Sequence, residues 1–349
     1  MLKALAKKLL KKTGLQITKI PKQHESLSSE RRAFTVGRKN KFAGMIAGDP
    51  LNANMHLKYA IFASEQGRYY LAYAELKTAQ YLGADEEEVE KYITAFRSAL
   101  PDPKYMNHNQ YFRFKTLSSE IITHRQKTSL SILDIGGGEG ELASFLPDDV
   151  TYCLVEPAVN GISGTNLPFP DHSFDYVVSC HVLEHIPVKE RWLFLDQLLS
   201  KSRHGVILLN PFHVEHTCID ERLRLVIEIT GAQWAKEHLE CTLPKIDDIK
   251  AYAADRELQF RVKPNGAVAT SMAFVFVDYF AAKSGHQDDW KKMNVFSMKN
   301  TQIYLTQKNT PMLTSFILVG QKPGQLRGQV LTLDFLIFNS LAKIAKGKT

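Results

Sequence analysis

Residues 131–141 read Ser-Ile-Leu-Asp-Ile-Gly-Gly-Gly-Glu-Gly-Glu. An apolar run reaches Asp134 and opens into glycines at 136, 137, 138 and 140. Leu142-Ala-Ser-Phe-Leu146 then reads as the start of a helix. A strand, a glycine loop and a helix in that order let backbone approach a ligand closely and point amide groups at it. Two phosphate cradles are excluded. With Gly136 and Gly138 as the first two glycines of a dinucleotide fingerprint, the third falls on Glu141, and no Gly-Lys-Ser/Thr ending follows. Thr151-Tyr-Cys-Leu-Val-Glu156 reads as a second strand closing on a carboxylate, sixteen residues after Gly140. An acid there can accept hydrogen bonds from both hydroxyls of a ribose.

Histidines supply the candidate acid–base chemistry. His181, Glu184 and His185 follow a strand over Phe174–Ser179, and their spacing predicts one face of a helix. At the carboxyl end of a parallel strand that face borders a ligand crevice, and an imidazole suits proton removal near neutral pH. Two imidazoles and a carboxylate also suit a divalent metal, and Glu184 and His185 suit a purely structural pairing. A second group, His213, His216, Cys218 and Asp220, follows the strand Val206–Asn210. Its spacing matches no tetrahedral zinc pattern. His181, His185 and His213 are taken as catalytic candidates, and no residue is assigned to a metal.

The glycine loop, Glu156, Leu167-Pro-Phe, Phe174-Asp-Tyr-Val-Val and Val182-Leu-Glu-His, in this order, resemble the class I S-adenosylmethionine-dependent methyltransferases, in the branch with Leu-Pro-Phe and Leu-Glu-His motifs. The resemblance covers roughly 105–325. It implies a doubly wound, Rossmann-like α/β sheet of seven strands, the last antiparallel, with S-adenosyl-L-methionine as cofactor. Carried over by position, Asp134, Gly136, Gly137, Gly138 and Gly140 shape the pocket for the methionine end. Glu156 takes the ribose, the turn Ser163, Gly164, Asn166 and Leu167 holds adenine, and Ser179 and Cys180 border the methyl with His181. The family often has Asp where Ser163 stands, so backbone groups or Asn166 take over that adenine contact. Glu237-His-Leu-Glu-Cys-Thr-Leu-Pro244 and Lys263-Pro-Asn-Gly266 are similar to methyltransferases of bacterial polysaccharide-assembly systems. That points to a glycan or sugar-nucleotide hydroxyl as acceptor, with a lipid or quinone methyltransferase and a non-catalytic adaptor as rivals.

The rest of the chain has to position these groups. Its 349 residues suggest about two domains. The net charge of +7 is uneven. Residues 1–41 hold twelve Lys or Arg against Glu25 and Glu30, residues 326–349 carry +3, and the body between them is left at −6. A basic nucleic-acid patch beside the site is therefore not expected. Leu2, Leu5 and Leu9 among lysines, and the tail from Phe335, fit amphipathic ends that either dock on the protein or touch an anionic membrane surface. Residues 49–103 read as helices, two of them meeting at Gly67-Arg68-Tyr69 like one tetratricopeptide-type unit. They either pack on the main domain or present a protein-docking face. The expected domains are a basic arm at 1–48, a helical region at 49–103, a methyltransferase domain at 104–325 and a basic tail at 326–349. Residues 271–310 are expected to be an insertion or a cover beside the acceptor crevice. Four scattered cysteines and the lack of a secretory or membrane-spanning pattern fit a cytoplasmic protein, peripheral at most to the inner membrane face.

Overall fold

The computed structural model describes residues 41–123, 125, 130–213, 218–265, 268–286, 290–295 and 315–321. The basic arm up to residue 40, the part of the expected cover at 296–310, and the tail from 322 lie outside the described residues. Among the described residues five helices come first: α1 (Lys41–Gly48), α2 (Ala53–Glu65), α3 (Tyr69–Tyr81), α4 (Glu86–Ala99) and α5 (His108–Thr123). Strands β1 (Leu130–Ile135), β2 (Val150–Val155) and β3 (Phe174–Cys180) follow, then α6 (Arg191–Lys201) and β4 (Ser202–Pro211). Helices α7 (Ile219–Thr230), α8 (Gln233–Glu240) and α9 (Ile246–Asp255) lead to β5 (Gln259–Pro264), α10 (Val268–Ser284) and β6 (Ser315–Gln321).

The strands form one sheet in the order β2-β1-β3-β4-β6-β5. The first four pair in parallel, and β6 runs antiparallel to both of its neighbours. Seven strands were expected; among the described residues there are six. The parallel strands are buried on both faces, which is why they read as continuous apolar runs rather than alternating ones. From β1 the chain steps to one side for β2 and to the other for β3. That change of direction marks the carboxyl ends of β1 and β3 as the place where open α/β sheets bind ligands.

β2 is the outer strand, and helix α3 covers it. The Thr78 hydroxyl accepts a hydrogen bond from the Leu154 amide at 3.0 Å, blunting an edge that would otherwise offer unpaired amides. Every residue of α3 from Leu71 to Ala79 is buried. The hairpin of α2 and α3 thus spends its apolar surface inside one core shared with the sheet, and α3 keeps no free face for a partner. Asp85 caps α4 by accepting from the Glu88 amide at 3.0 Å, with three glutamates in the first turn on the positive end of the helix dipole.

Within this interface lies a buried polar chain. His56 Nδ1 meets Glu75 Oε2 at 2.5 Å, Glu75 Oε1 accepts from Asn160 Nδ2 at 3.1 Å, and Asn160 Oδ1 accepts from the Glu156 amide at 3.0 Å. The hairpin therefore props up the loop that carries Glu156. Burial opposes a charge on His56, but the Glu75 carboxylate and the Pro50 carbonyl outweigh it and hold the imidazole above its ordinary 6.5. Glu75→Ala leaves a buried cation unpaired and is expected to cost about 3–5 kcal/mol. The folded-state value is the higher one. The His56 contribution is therefore complete below the ordinary value and fades as pH rises through the raised one. Urea midpoints should fall on the alkaline side, and His56→Gln should remove that part of the slope; an unchanged slope would refute the charged pair.

Candidate functional site

The glycine loop turns tightly under the carboxyl end of β1. The Gly136 amide donates to the Val155 carbonyl at 2.7 Å, joining the loop to the end of β2. Gly136 has a φ of 72°, and a Cβ there would sit 2.2 Å from Val182 Cγ2. Gly140, at a φ of 78°, would strike Ala74 of α3 at the same distance. Only glycine fits both places. The expected helix after the loop is a single 3-10 turn, Glu141–Phe145, which ends at Leu146 before Pro147. Arg68, at the start of α3, pairs with Glu139 at 2.8 Å and fastens the loop from outside.

The two elements meant to hold an adenosyl group meet. The Gly138 amide donates to Glu156 Oε2 at 3.2 Å, and the Ala158 amide donates to Oε1 at 3.1 Å. A Cβ on Gly138 would approach only the Glu141 carboxylate, at 3.3 Å, so the space above the loop is open on that side. The turn of Ser163, Gly164 and Asn166 lies against the end of β1. A Cβ on Gly164 would fall 2.8 Å from Ile135 Cγ2, and the Asn166 amide donates to the Ser163 carbonyl at 3.2 Å. Leu167 is buried, its amide held by Gln197 Oε1 at 3.1 Å. The Ser163 hydroxyl is engaged with Thr165 at 3.0 Å.

Asp134 is fully enclosed. The Tyr152 hydroxyl donates to its Oδ2 at 2.7 Å, while Oδ1 has no hydrogen-bond partner. Burial, only partly offset by Tyr152 and reinforced by the charges of Glu141 and Glu156, pushes its carboxyl up to about 7. Arg113, on α5, adds a guanidinium whose Nε is buried without a hydrogen-bond partner and whose charge is felt at Glu141, Cys180 and His181. Three carboxylates and one guanidinium around an open glycine loop suit a ligand with cationic and anionic ends. The unsatisfied oxygen of Asp134 and the buried Nε of Arg113 fit such a group, since buried polar atoms otherwise find partners. Arg113 was not singled out in the sequence, where one arginine in an amphipathic helix carries no signal of its own.

Ser179 and Cys180 end β3 beside this loop, Ser179 in register with Ile135 and Leu208. Ser179 Oγ is buried without a hydrogen-bond partner. Burial pushes the Cys180 thiol up to about 12, which leaves it protonated and unsuited to nucleophilic chemistry. His181 then adopts a left-handed φ of 59°, its amide donating to the Leu209 carbonyl at 2.8 Å. Such a conformation in a non-glycine residue is uncommon and is frequent at working sites. The expected helix through His181, Glu184 and His185 is absent; Leu183–His185 is one 3-10 turn. The three residues still gather, but around Glu184.

Glu184 is fully buried. Its Oε2 accepts from Asn210 Nδ2, and its Oε1 lies 3.3 Å from His181 Nδ1 and 3.7 Å from His238 Nε2. Burial works against its charge, yet hydrogen bonding and the histidines hold its carboxyl below the ordinary range. Burial also lowers His181, despite the Glu184 carboxylate, and brings His238 down to about 4. Both imidazoles are therefore neutral near pH 7. Arg191 builds this arrangement. Its guanidinium donates to the carbonyls of Ile186 at 3.1 Å, Cys241 at 3.1 Å and Thr242 at 2.6 Å, tying the turn after β3 to the end of α8. His213 is not part of it: its backbone bridges to Lys245 and takes the Pro244 carbonyl at 2.8 Å, and among the described residues its side chain makes no hydrogen bond.

With this geometry in view, comparison with known proteins gives a plain result. Residues 106–259 match the family model of a methyltransferase domain. That stretch holds the glycine loop, Glu156 and the Glu184 cluster. An uncharacterized methyltransferase of Mycolicibacterium vanbaalenii is 35% identical over 113 residues, 27% of this chain and 44% of that protein. One from Mycobacterium marinum is 30% identical over 143 residues, 35% of this chain and 55% of that protein. The chain thus spans about half the length of these relatives. Among solved structures, Bacillus subtilis YcgJ aligns with 60% of this chain and 97% of its own at 14% identity and a TM-score of 0.37. Phosphoethanolamine N-methyltransferase 2 of Haemonchus contortus, solved with S-adenosyl-L-methionine, aligns with 64% and 61% at 14% identity and a TM-score of 0.38.

The enclosed Asp134 has a testable consequence. A cationic ligand favours its ionised form, so binding below about pH 7 must expel a proton. Affinity for S-adenosylmethionine should then climb by up to about tenfold per pH unit toward neutrality and level off above it. Calorimetry in two buffers of different ionisation heat measures the released proton. Asp134→Asn should abolish it; a flat profile in the unaltered chain would contradict the placement.

Proposed function

We propose that the chain is an S-adenosylmethionine-dependent methyltransferase acting on a hydroxyl of a glycan or sugar nucleotide. The observation that carries the cofactor part of the reading is the meeting of the glycine loop with the Glu156 carboxylate at the carboxyl ends of β1 and β2. When bound, S-adenosylmethionine supplies a methyl group on a sulfonium that needs no further activation to leave. The chain's own groups divide the remaining work. Glu156 accepts the ribose hydroxyls, the loop amides and Arg113 hold the methionine end, and the 163–167 turn lines the adenine side. His181 turns Nδ1 toward Glu184, which leaves Nε2 as the base for an acceptor hydroxyl. A neutral imidazole steadied by a buried carboxylate takes up a proton and has the resulting charge stabilised. The crevice aligns the acceptor oxygen for in-line attack, which is the larger part of the rate.

A lipid or quinone acceptor is favoured by a different observation. Leu225 and Ile229 on α7, Trp234 on α8 and Phe280 on α10 are exposed apolar side chains, and α7 packs on α10. Among the described residues no helix is long and apolar enough to cross a membrane. Cosedimentation of the full chain and of residues 15–325 with anionic vesicles separates the readings, and negligible pelleting of both removes the membrane one. The acceptor itself is reached by giving isotope-labelled cofactor to cell extract and identifying the labelled product by mass. A labelled saccharide supports the proposal and a labelled lipid overturns it in favour of the second reading. Cofactor binding with no labelled product in any fraction turns the site toward a non-catalytic adaptor.

A further inference from the structure

We propose that Glu184, His185 and His238 form a binding site for a divalent transition-metal ion. One carboxylate oxygen and two imidazole nitrogens of these residues lie within 4.8 Å of one another. They come from two segments more than fifty residues apart, so their convergence is a product of the fold and not of local spacing. Glu184 is 0% exposed, and its Oε1, 3.3 Å from His181 Nδ1 and 3.7 Å from His238 Nε2, is a buried atom without a hydrogen-bond partner in good geometry. Leaving such an atom unsatisfied is costly, and a bound cation satisfies it.

The surroundings have the character of a supporting shell. Asn210 Nδ2 fixes the other carboxylate oxygen, and the Trp234 ring stands edge-on to His238 at 5.3 Å. The three carbonyls on Arg191 hold α8 against the turn that carries Glu184 and His185. Metal ligands are commonly oriented by partners of this kind. The His185 side chain is 39% exposed and provides the route by which an ion enters. Two imidazoles and one carboxylate favour zinc, cobalt, iron or manganese over magnesium or calcium, which prefer sites made wholly of oxygen. Three protein ligands leave at least one position for water or another oxygen.

The test uses the full chain without a histidine tag, stripped with chelator and then dialysed against Zn²⁺, with bound metal counted by elemental mass spectrometry. Co²⁺ titration followed by visible absorption reports the ligand set. The expected result is one equivalent per chain, a thermal midpoint raised by Zn²⁺, and affinity lowered by at least about a hundredfold in His185→Ala, beyond the usual loss for a supporting residue. Because His185 is partly exposed, that variant should keep the metal-free midpoint of the unaltered chain even if Glu184→Gln does not fold. Absence of saturable binding, binding unchanged in both His185→Ala and His238→Ala, or a thiolate band placing Co²⁺ on a cysteine would each overturn the proposal. No cofactor or acceptor is present in the assay, so its outcome is independent of whether methyl transfer is found.

Discussion

Glu156→Ala is expected to weaken S-adenosylmethionine binding by about a hundredfold while leaving the fold intact. The carboxylate now accepts from the Gly138 and Ala158 amides and has the reach to take two ribose hydroxyls. Hydrogen bonds to a charged acceptor are worth about 1.5–3 kcal/mol each. Losing both ribose contacts, with some compensation by water, amounts to about 3 kcal/mol, or two orders of magnitude in affinity. Glu156 is only partly buried, so removing it opens no core cavity. Glu156→Gln keeps one acceptor oxygen and should fall between the two. Titration calorimetry gives the affinities and thermal unfolding checks the fold; equal affinity in Glu156→Ala and the unaltered chain would mean that the acid faces something other than a ribose.

The second large effect lies in turnover. His181→Ala should reduce kcat by about 10²–10⁴-fold, the usual contribution of a positioned general base, with cofactor affinity changed little. Glu184→Gln should also slow turnover, because the neutral amide no longer stabilises a protonated His181. The pH–rate profile distinguishes a base from a scaffold. In the unaltered chain the rate should fall on the acid side with a midpoint below the ordinary 6.5 of histidine, since burial lowers His181. That limb should vanish in His181→Ala. An alanine variant with full activity and the same profile would return His181 to a structural part. His213→Ala, outside the cluster, should leave the profile unchanged.

Much of this site could be read in the chain itself. The parallel strands announce themselves as short apolar runs, and Asp134, the glycines and Glu156 fall at their carboxyl ends because strand ends are where loops must turn. The histidine cluster was half legible. Its i, i+3, i+4 spacing imitates a helix, but Pro187 disfavours helical backbone at Ile186, and a strand leaving at Cys180 gives too little chain for one. What no local pattern carries is His238, delivered to Glu184 by the clamp of Arg191 on the end of α8. Thr78 on Leu154 and Glu75 on Asn160 are hidden for the same reason. Charged and hydroxyl residues in a helical pattern look solvated until a sheet edge is laid against them.

The central claim is that the loop after β1 and the acid ending β2 together grip an adenosyl sulfonium. Titration of the full chain with S-adenosylmethionine by calorimetry tests it most directly. The account predicts saturation at one ligand per chain with a dissociation constant near the micromolar range, about −8 kcal/mol, and parallel loss of that heat in Glu156→Ala and in Gly138→Val. A titration with no saturable heat in the unaltered, folded chain would contradict it.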